Sequence, residues 1–198
     1  MPWPETITLS GDHVRLVPLS HDHHDALVDA VQDGELWRLW YTAIPTPDGM
    51  AAEIDRRLGL RETGSMLPFT VIEPASGKPV GMTTYMNIDA VNRRVEIGST
   101  WYRRSAQRSP LNTEAKFLLL GHAFEALDCI AVEFRTHFFN QASRRAIERL
   151  GAKLDGVLRN HSRASDGTLR DTCVFSITAS EWPTVRSHLT FQMERSRD

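Results

Sequence analysis

Polar and apolar residues alternate from residue 13 to 19, as in a strand with one face buried. Ser20 follows as a candidate N-cap. Asp22 stands where it favours the dipole of a helix over residues 21–32. Ala26, Leu27, Ala30 and Val31 share the inner side of that helix, and Gly34 ends it. A further short helix is expected over residues 35–41, carrying Trp37 and Trp40. Residues 45–49 read as a turn, and residues 50–62 as a helix that stops before Gly64. Residues 67–72 and 80–88 flank a turn-rich stretch, Glu73 to Pro79, and predict an antiparallel hairpin. Residues 94–101 form the next strand, with Val95, Ile97, Ser99 and Trp101 on one face.

From residue 110 to 127 the period becomes helical. Phe117, Leu120, Phe124 and Leu127 recur at i+3, i+7 and i+10, and Leu118 and Leu119 widen the stripe, so this helix is buried. A strand over residues 129–134 and an amphipathic helix over 140–150, stopped by Gly151, come next. Residues 154–160 and 171–177 are strands joined by the turn Ser165-Asp166-Gly167, a second hairpin. A last helix starts at Ser180, covers Leu189 and closes by residue 192, and the tail after Met193 frays. Hairpins mixed with helical crossovers predict one α/β (α+β) domain on a mixed sheet.

Composition narrows the classes. A chain of 198 residues suits one domain with a sizeable core. Lys and Arg number 23 against 25 Asp and Glu, a balance that speaks against a nucleic-acid binder or a polybasic membrane-surface protein. No apolar run is long enough to span a bilayer, and the N-terminus lacks the pattern of a signal peptide. Two cysteines, Cys129 and Cys173, make no disulfide framework, which fits a reducing, cytoplasmic setting. His21, Asp22, His23, His24 and Asp25 resemble a metal-ligand set on paper, but no two histidines stand at i,i+4. Exposed polar residues at a helix start are the preferred reading, and no metal is expected.

The most informative chemistry lies between residues 95 and 151. A strand meets a basic loop, Tyr102-Arg103-Arg104-Ser105-Ala106-Gln107-Arg108-Ser109, which enters the buried helix near Pro110. Free main-chain N–H groups and the positive dipole end at such a junction bind anions, and arginine pairs well with phosphate.

These residues carry a resemblance to the GNAT superfamily of acyl-CoA-dependent N-acyltransferases, and more narrowly to its ribosomal-protein N-terminal acetyltransferase branch. Val95-Glu96-Ile97-Gly98-Ser99-Thr100-Trp101, the basic loop, and Asn112-Thr113-Glu114-Ala115-Lys116 with Leu118-Leu119-Leu120 match in order and spacing. So do Val132-Glu133-Phe134-Arg135-Thr136, the stretch from Asn140 to Ala152, and the strand pair from Gly156 to Ile177. The resemblance covers a core of residues 11–179. It implies a mixed, mostly antiparallel central sheet flanked by helices. Two departures stand out. The family's pyrophosphate loop reads Gln/Arg-x-x-Gly-x-Gly/Ala, whereas Gln107-Arg108-Ser109-Pro110-Leu111-Asn112 has neither glycine. Ile147 replaces the tyrosine that many members use to protonate the leaving thiolate.

The implied chemistry is direct attack of a primary amine, at a protein N-terminus or on a small molecule, on the thioester of acetyl-CoA, the co-substrate. Gly98, Ser99 and Thr100 match the segment whose main chain meets the oxyanion. Arg103, Arg104, Gln107, Arg108, Ser109, Asn112 and Thr113 match the cofactor loop. Asn140 and Ser143 match positions at the pantetheine arm and sulfur, and also suit helix capping. Glu96 is a candidate base or equally a salt-bridged carboxylate beside Arg93 and Arg94. His137 is a second candidate, or a surface residue of the loop that follows its strand. Trp37, Trp40 and Tyr41 are an acceptor wall or simply core. Succinyl or another acyl donor, and a CoA-binding module without turnover, are the rival readings; the acceptor amine is unspecified and a homodimer is left open.

Overall fold

The computed structural model describes residues 3–164 and 166–195. The turn residue Ser165 and the last three residues of the tail lie outside the described residues. The chain opens with a two-residue strand, β1 (Leu9–Ser10), paired with β2 (Arg15–Pro18). Ser20 caps the next turn as expected: its hydroxyl accepts from the Asp22 N–H, and His23 Nδ1 accepts from the Ser20 N–H at 3.2 Å. One tight turn, His21–His23, leads into α1 (His24–Gln32), with Leu27, Ala30 and Val31 buried.

The helix expected over residues 35–41 is a single tight turn, Leu36–Arg38. Glu35 is left-handed at φ 47° and Leu39 is extended at ψ 108°, so the helical stretch is closed on both sides after one turn. Helix α2 (Met50–Glu62) has the expected bounds. It leads to the hairpin of β3 (Met66–Glu73) and β4 (Lys78–Asp89), whose turn is closed by Gly77 at φ 68° and by the Ser76 hydroxyl on the Glu73 carboxylate at 2.8 Å. Strand β5 (Arg94–Tyr102), α3 (Leu111–Gly121), β6 (Ala131–His137), α4 (Gln141–Arg149), β7 (Lys153–Arg163), β8 (Leu169–Thr178) and α5 (Trp182–Glu194) follow. Beyond Gly121 the helical ladder of α3 widens into a π-turn, His122–Ala126, and Asp128 at φ 55° ends it.

One eight-stranded sheet results, ordered β1-β2-β3-β4-β5-β6-β8-β7. Every neighbouring pair is antiparallel except β5 and β6. Alternate residues of the strands feed two cores. Leu67, Phe69, Tyr85, Val95, Ile97 and Tyr102 meet α3 and α5 on one side. Met82 and Trp101 meet α1 and α2 on the other. Phe124 stacks on Trp182 with ring centroids 5.5 Å apart, tying the end of the α3 segment to α5.

The expectation that Val95, Ile97, Ser99 and Trp101 share a face fails at one point. Met82 pairs with Trp101 and Thr84 with Gly98, so Thr83 faces two residues of β5, Ser99 and Thr100. Ser99 takes φ 45° in this bulge and is exposed, and the residues after it exchange faces.

A candidate active site where two strands part

β5 and β6 pair through only three positions, Arg94 with Ala131, Val95 with Val132 and Glu96 with Glu133. Beyond Glu96, β5 keeps its partner β4, and beyond Glu133, β6 keeps its partner β8. Their facing edges separate into a wedge, and the main-chain groups of residues 97–102 on that side are left to bind something other than a neighbouring strand.

Glu96 sits at the apex, 5% exposed. Asn87 Nδ2 donates to its Oε2 at 2.7 Å, and Arg135 Nε lies 3.5 Å from the same oxygen. Arg135 also pairs with Glu133 at 2.9 Å, and Glu133 accepts from Arg94. Burial lifts the Glu96 carboxyl above the usual carboxylate range, against the opposing pull of Asn87 and Arg135. Gly98 leaves room for this carboxylate: a Cβ there would stand 2.9 Å from Glu96 Oε1 and 2.8 Å from Met86 Sδ. The salt-bridged reading of Glu96 and its placement beside the wedge hold together in one residue, with Arg135 rather than Arg93 or Arg94 as its cation.

Two buried cations grip the Ser99 bulge, one from each face of the sheet. Arg57 of α2, 1% exposed, donates from Nη2 to the Ser99 carbonyl at 3.0 Å and from Nε to Glu53 at 2.6 Å. Lys116 of α3, 6% exposed, donates from Nζ to the Thr100 hydroxyl at 2.9 Å and to the Thr83 hydroxyl at 3.2 Å. Burial without a carboxylate partner among the described residues brings the Lys116 ammonium down to about 7. Sequence reading gave neither cation a role. The available signal is a cation among apolar neighbours of a buried helix face, Ala115 and Leu119 for Lys116 and Ile54 and Leu58 for Arg57.

The basic loop divides into two parts. Its start belongs to α1: Arg103 Nε donates to Asp33 at 3.0 Å, Arg103 Nη1 lies 3.4 Å from Asp29, and the Ser105 N–H and hydroxyl also reach Asp33. Arg103 is therefore engaged on the far side of the loop from α3. The second part enters α3. Gln107 Nε2 donates to the Tyr102 carbonyl at 3.0 Å, and the Ser109 hydroxyl donates to the Ala106 carbonyl and accepts from the Leu111 N–H. Arg108, not a glycine, takes φ 60° here and is exposed. Arg104 is exposed, Asn112 half-buried and Thr113 buried. Pro110 is the N-cap of α3 rather than its first turn.

His137 is the last residue of β6 and is buried, which corrects the surface-loop reading. Its ring packs against Trp40 at 5.0 Å between centroids, with Tyr41 and Phe139 around it, and its Nδ1 accepts from the Phe139 N–H. Burial holds this imidazole below its ordinary range. Trp40 is 59% exposed and so is not core, while Trp37 packs on the α1–α2 core. Asn140 caps α4, its Oδ1 accepting from the Ser143 N–H at 3.0 Å. The three N-terminal histidines diverge: His21 reaches Asp55, His24 reaches Asp25, and His23 meets Thr70, each at 2.8 Å.

Known proteins resemble this chain in sequence and fold. The acetyltransferase (GNAT) domain profile matches residues 13–153. The Bacillus subtilis protein YdaF, whose name proposes a ribosomal N-acetyltransferase, is 31% identical over 106 residues; the matched segment is 54% of this chain and 57% of YdaF. The chain thus spans little more than half the length of that curated relative. The crystal structure of a GCN5-related N-acetyltransferase from Brucella melitensis superposes with a TM-score of 0.86 at 34% identity, over 97% of this chain and 87% of the other. Mycobacterium smegmatis RimJ, solved in complex with CoA-disulfide, shares the fold at a TM-score of 0.78 and 22% identity, over 96% of each chain.

Proposed function

We propose that this chain, which belongs to the GNAT acetyltransferase family, moves the acetyl group of acetyl-CoA onto a primary amine by direct attack. The observation that carries this reading is the wedge beyond Glu96, where residues 97–102 have no neighbouring strand on the β6 side, beside a buried carboxylate. An extended, amide-bearing pantetheine arm binds such an edge as an added strand would. Its pyrophosphate meets the start of α3, where Arg108 and the N–H groups of the first turn supply positive charge and donors. Arg108, exposed just before the start of α3, adds charge there, while the positions of the two missing glycines, Pro110 and Asn112, take ordinary helical conformation.

The amine nitrogen must be neutral to attack the thioester carbonyl carbon. Glu96, with its carboxyl lifted by burial, takes the amine proton directly or through a water. The N–C bond forms, the C–S bond breaks, and the thiolate leaves with the electron pair. A thiol of pKa around 8.5 is a fair leaving group, so the absence of a tyrosine at Ile147 is tolerable. A main-chain N–H of the Gly98–Thr100 stretch meets the oxyanion. Asn140 and Ser143 border the departing sulfur. His137, with Trp40, Tyr41 and Phe139, walls the acceptor side.

For the acceptor we favour a free protein N-terminus, on the resemblance to the ribosomal-protein acetyltransferase branch and the name of YdaF, with small amines as the alternative. Two buried, unpaired thiols, Cys129 and Cys173, suit a reducing cytoplasm. The test is CoA release from acetyl-CoA and from succinyl-CoA against a panel of peptides with free N-termini and small amines, beside calorimetric CoA binding. Turnover of acetyl-CoA with one class of amine is the expected result. Preference for succinyl-CoA replaces the donor, and binding without turnover on the whole panel replaces the enzyme with a CoA-binding module.

A further inference from the structure

We propose that Lys116 is a positioning residue for acyl transfer, setting through Thr83 and Thr100 the main-chain geometry of the Ser99 bulge. The proposal rests on the reading above, in which the thioester carbonyl lies against residues 98–100.

The bulge is where β5 carries one residue more than β4, and an extra residue needs something to fix its path. Thr83 and Thr100 face each other across it, hydroxyl oxygens 2.7 Å apart, and Thr100 Oγ1 also reaches the Gly98 carbonyl at 3.2 Å. Lys116 Nζ closes a triangle with the two hydroxyls. The result is a continuous chain of hydrogen bonds from the core side of α3 to the peptide of Gly98. Folding does not need the amine: a methionine of similar volume would fill the apolar face without burying a polar head. The arrangement fits a device that acts on the bulge rather than on stability.

The groups facing Nζ are few. β4 supplies Thr83, β5 supplies Thr100, and no charged side chain of α3 or of either strand among the described residues perturbs it. Arg57 lies across the sheet, on the Ser99 carbonyl. A change of charge on Lys116 is therefore felt first by Thr83 and Thr100.

The test compares wild type with Lys116→Met and Thr100→Val. Acetyl-CoA affinity by calorimetry and melting temperature are expected to be retained in Lys116→Met, the latter equal or higher. The kcat should fall about 10–100-fold, as a displaced reacting geometry requires, with the KM for the amine little changed. Infrared difference spectra of bound acetyl-CoA, carbonyl labelled with carbon-13, provide a readout that needs no amine. The carbonyl band should lie lower on wild type than in water and move back toward its free position in both variants. If Lys116→Met does not fold, Thr100→Val carries the comparison alone. An unmoved carbonyl band with unchanged kcat in the folded variants overturns the proposal while leaving the acetyltransferase reading intact. Failure of the wild type to bind acetyl-CoA removes that reading, and this proposal with it.

Discussion

Gly98 and Glu96 are fitted to one another: a single carbon added to Gly98 would intrude on the Glu96 carboxylate at 2.9 Å. The obstructing atoms, Glu96 Oε1 and Met86 Sδ, are the ends of flexible side chains, so the fold has a way to yield. In Gly98→Ala the carboxylate should be pushed from Asn87 and Arg135 with little loss of stability. We expect kcat to drop well beyond the change in melting temperature. Steady-state rates beside thermal melts check this, and unchanged rates would mean the Glu96 position is unimportant.

Glu96→Gln tests the base directly. Its rate profile should shift to alkaline pH with CoA binding retained, because a larger fraction of free amine then compensates for the missing base. Stability gives a second reading. The folded carboxyl lies above its unfolded value, so the folded chain holds this proton more tightly across the window between them. Stability thus falls as pH rises through that window and stays lower above it. Glutamine does not titrate. The variant should be at least as stable as wild type near neutrality and lose that advantage below the ordinary glutamate range, as urea titrations at several pH values would reveal.

Lys116 carries a linkage of its own. Its folded value, about 7, lies below the ordinary 10.5, so the unfolded chain binds more protons between the two. Stability from this group therefore rises with pH across that interval, with a slope approaching ~1.4 kcal/mol per pH unit. Lys116→Met should lack that part of the rise. Parallel curves for the two proteins from pH 7 to 10 would show that the ammonium is not desolvated.

Arg108 separates charge from backbone. Arg108→Glu should weaken CoA binding by about tenfold or more, in line with loss of a charged contact to phosphate. Arg108→Gly should weaken it less while raising the melting temperature, since glycine adopts φ 60° without strain. Calorimetry on both variants distinguishes them; equal affinities throughout would take the loop out of the site.

Phe124 measures the core. It is buried against Trp182, and truncation to alanine should cost about 3–5 kcal/mol. Chemical denaturation checks the figure, and a near wild-type midpoint would contradict the packing of α3 against α5.

Sequence reading recovers what long patterns encode. Helix α2 and the β3–β4 hairpin follow from an unbroken helical composition and from strong turn residues. β1 escapes notice because two residues, Leu9 and Ser10, show no period. The Ser99 bulge escapes because alternation continues on paper through a residue that adds to β5 without a partner in β4. Around the site, Glu96 was legible from its place on the strand after the hairpin. Its partners were not: Asn87, at φ 47° near the end of β4, and Arg135 reach it only once the sheet is assembled. Arg103 looked like a phosphate ligand because Asp29 and Asp33 are some seventy positions away in sequence.

A sheet ordinarily has two edges, and this one has four. The parting of β5 and β6 creates two more in its interior, each without a neighbouring strand, although side chains already reach the Gly98, Ser99 and Tyr102 carbonyls. Ordinary remedies such as short edges, prolines and charges are absent from residues 97–102. Protection comes from taper instead: the two rows converge on the pair Glu96 and Glu133, so an added strand has no constant spacing along which to bond both of them. A stray strand gains one row of bonds at most, and it is the direction of the backbone alone that sets this limit.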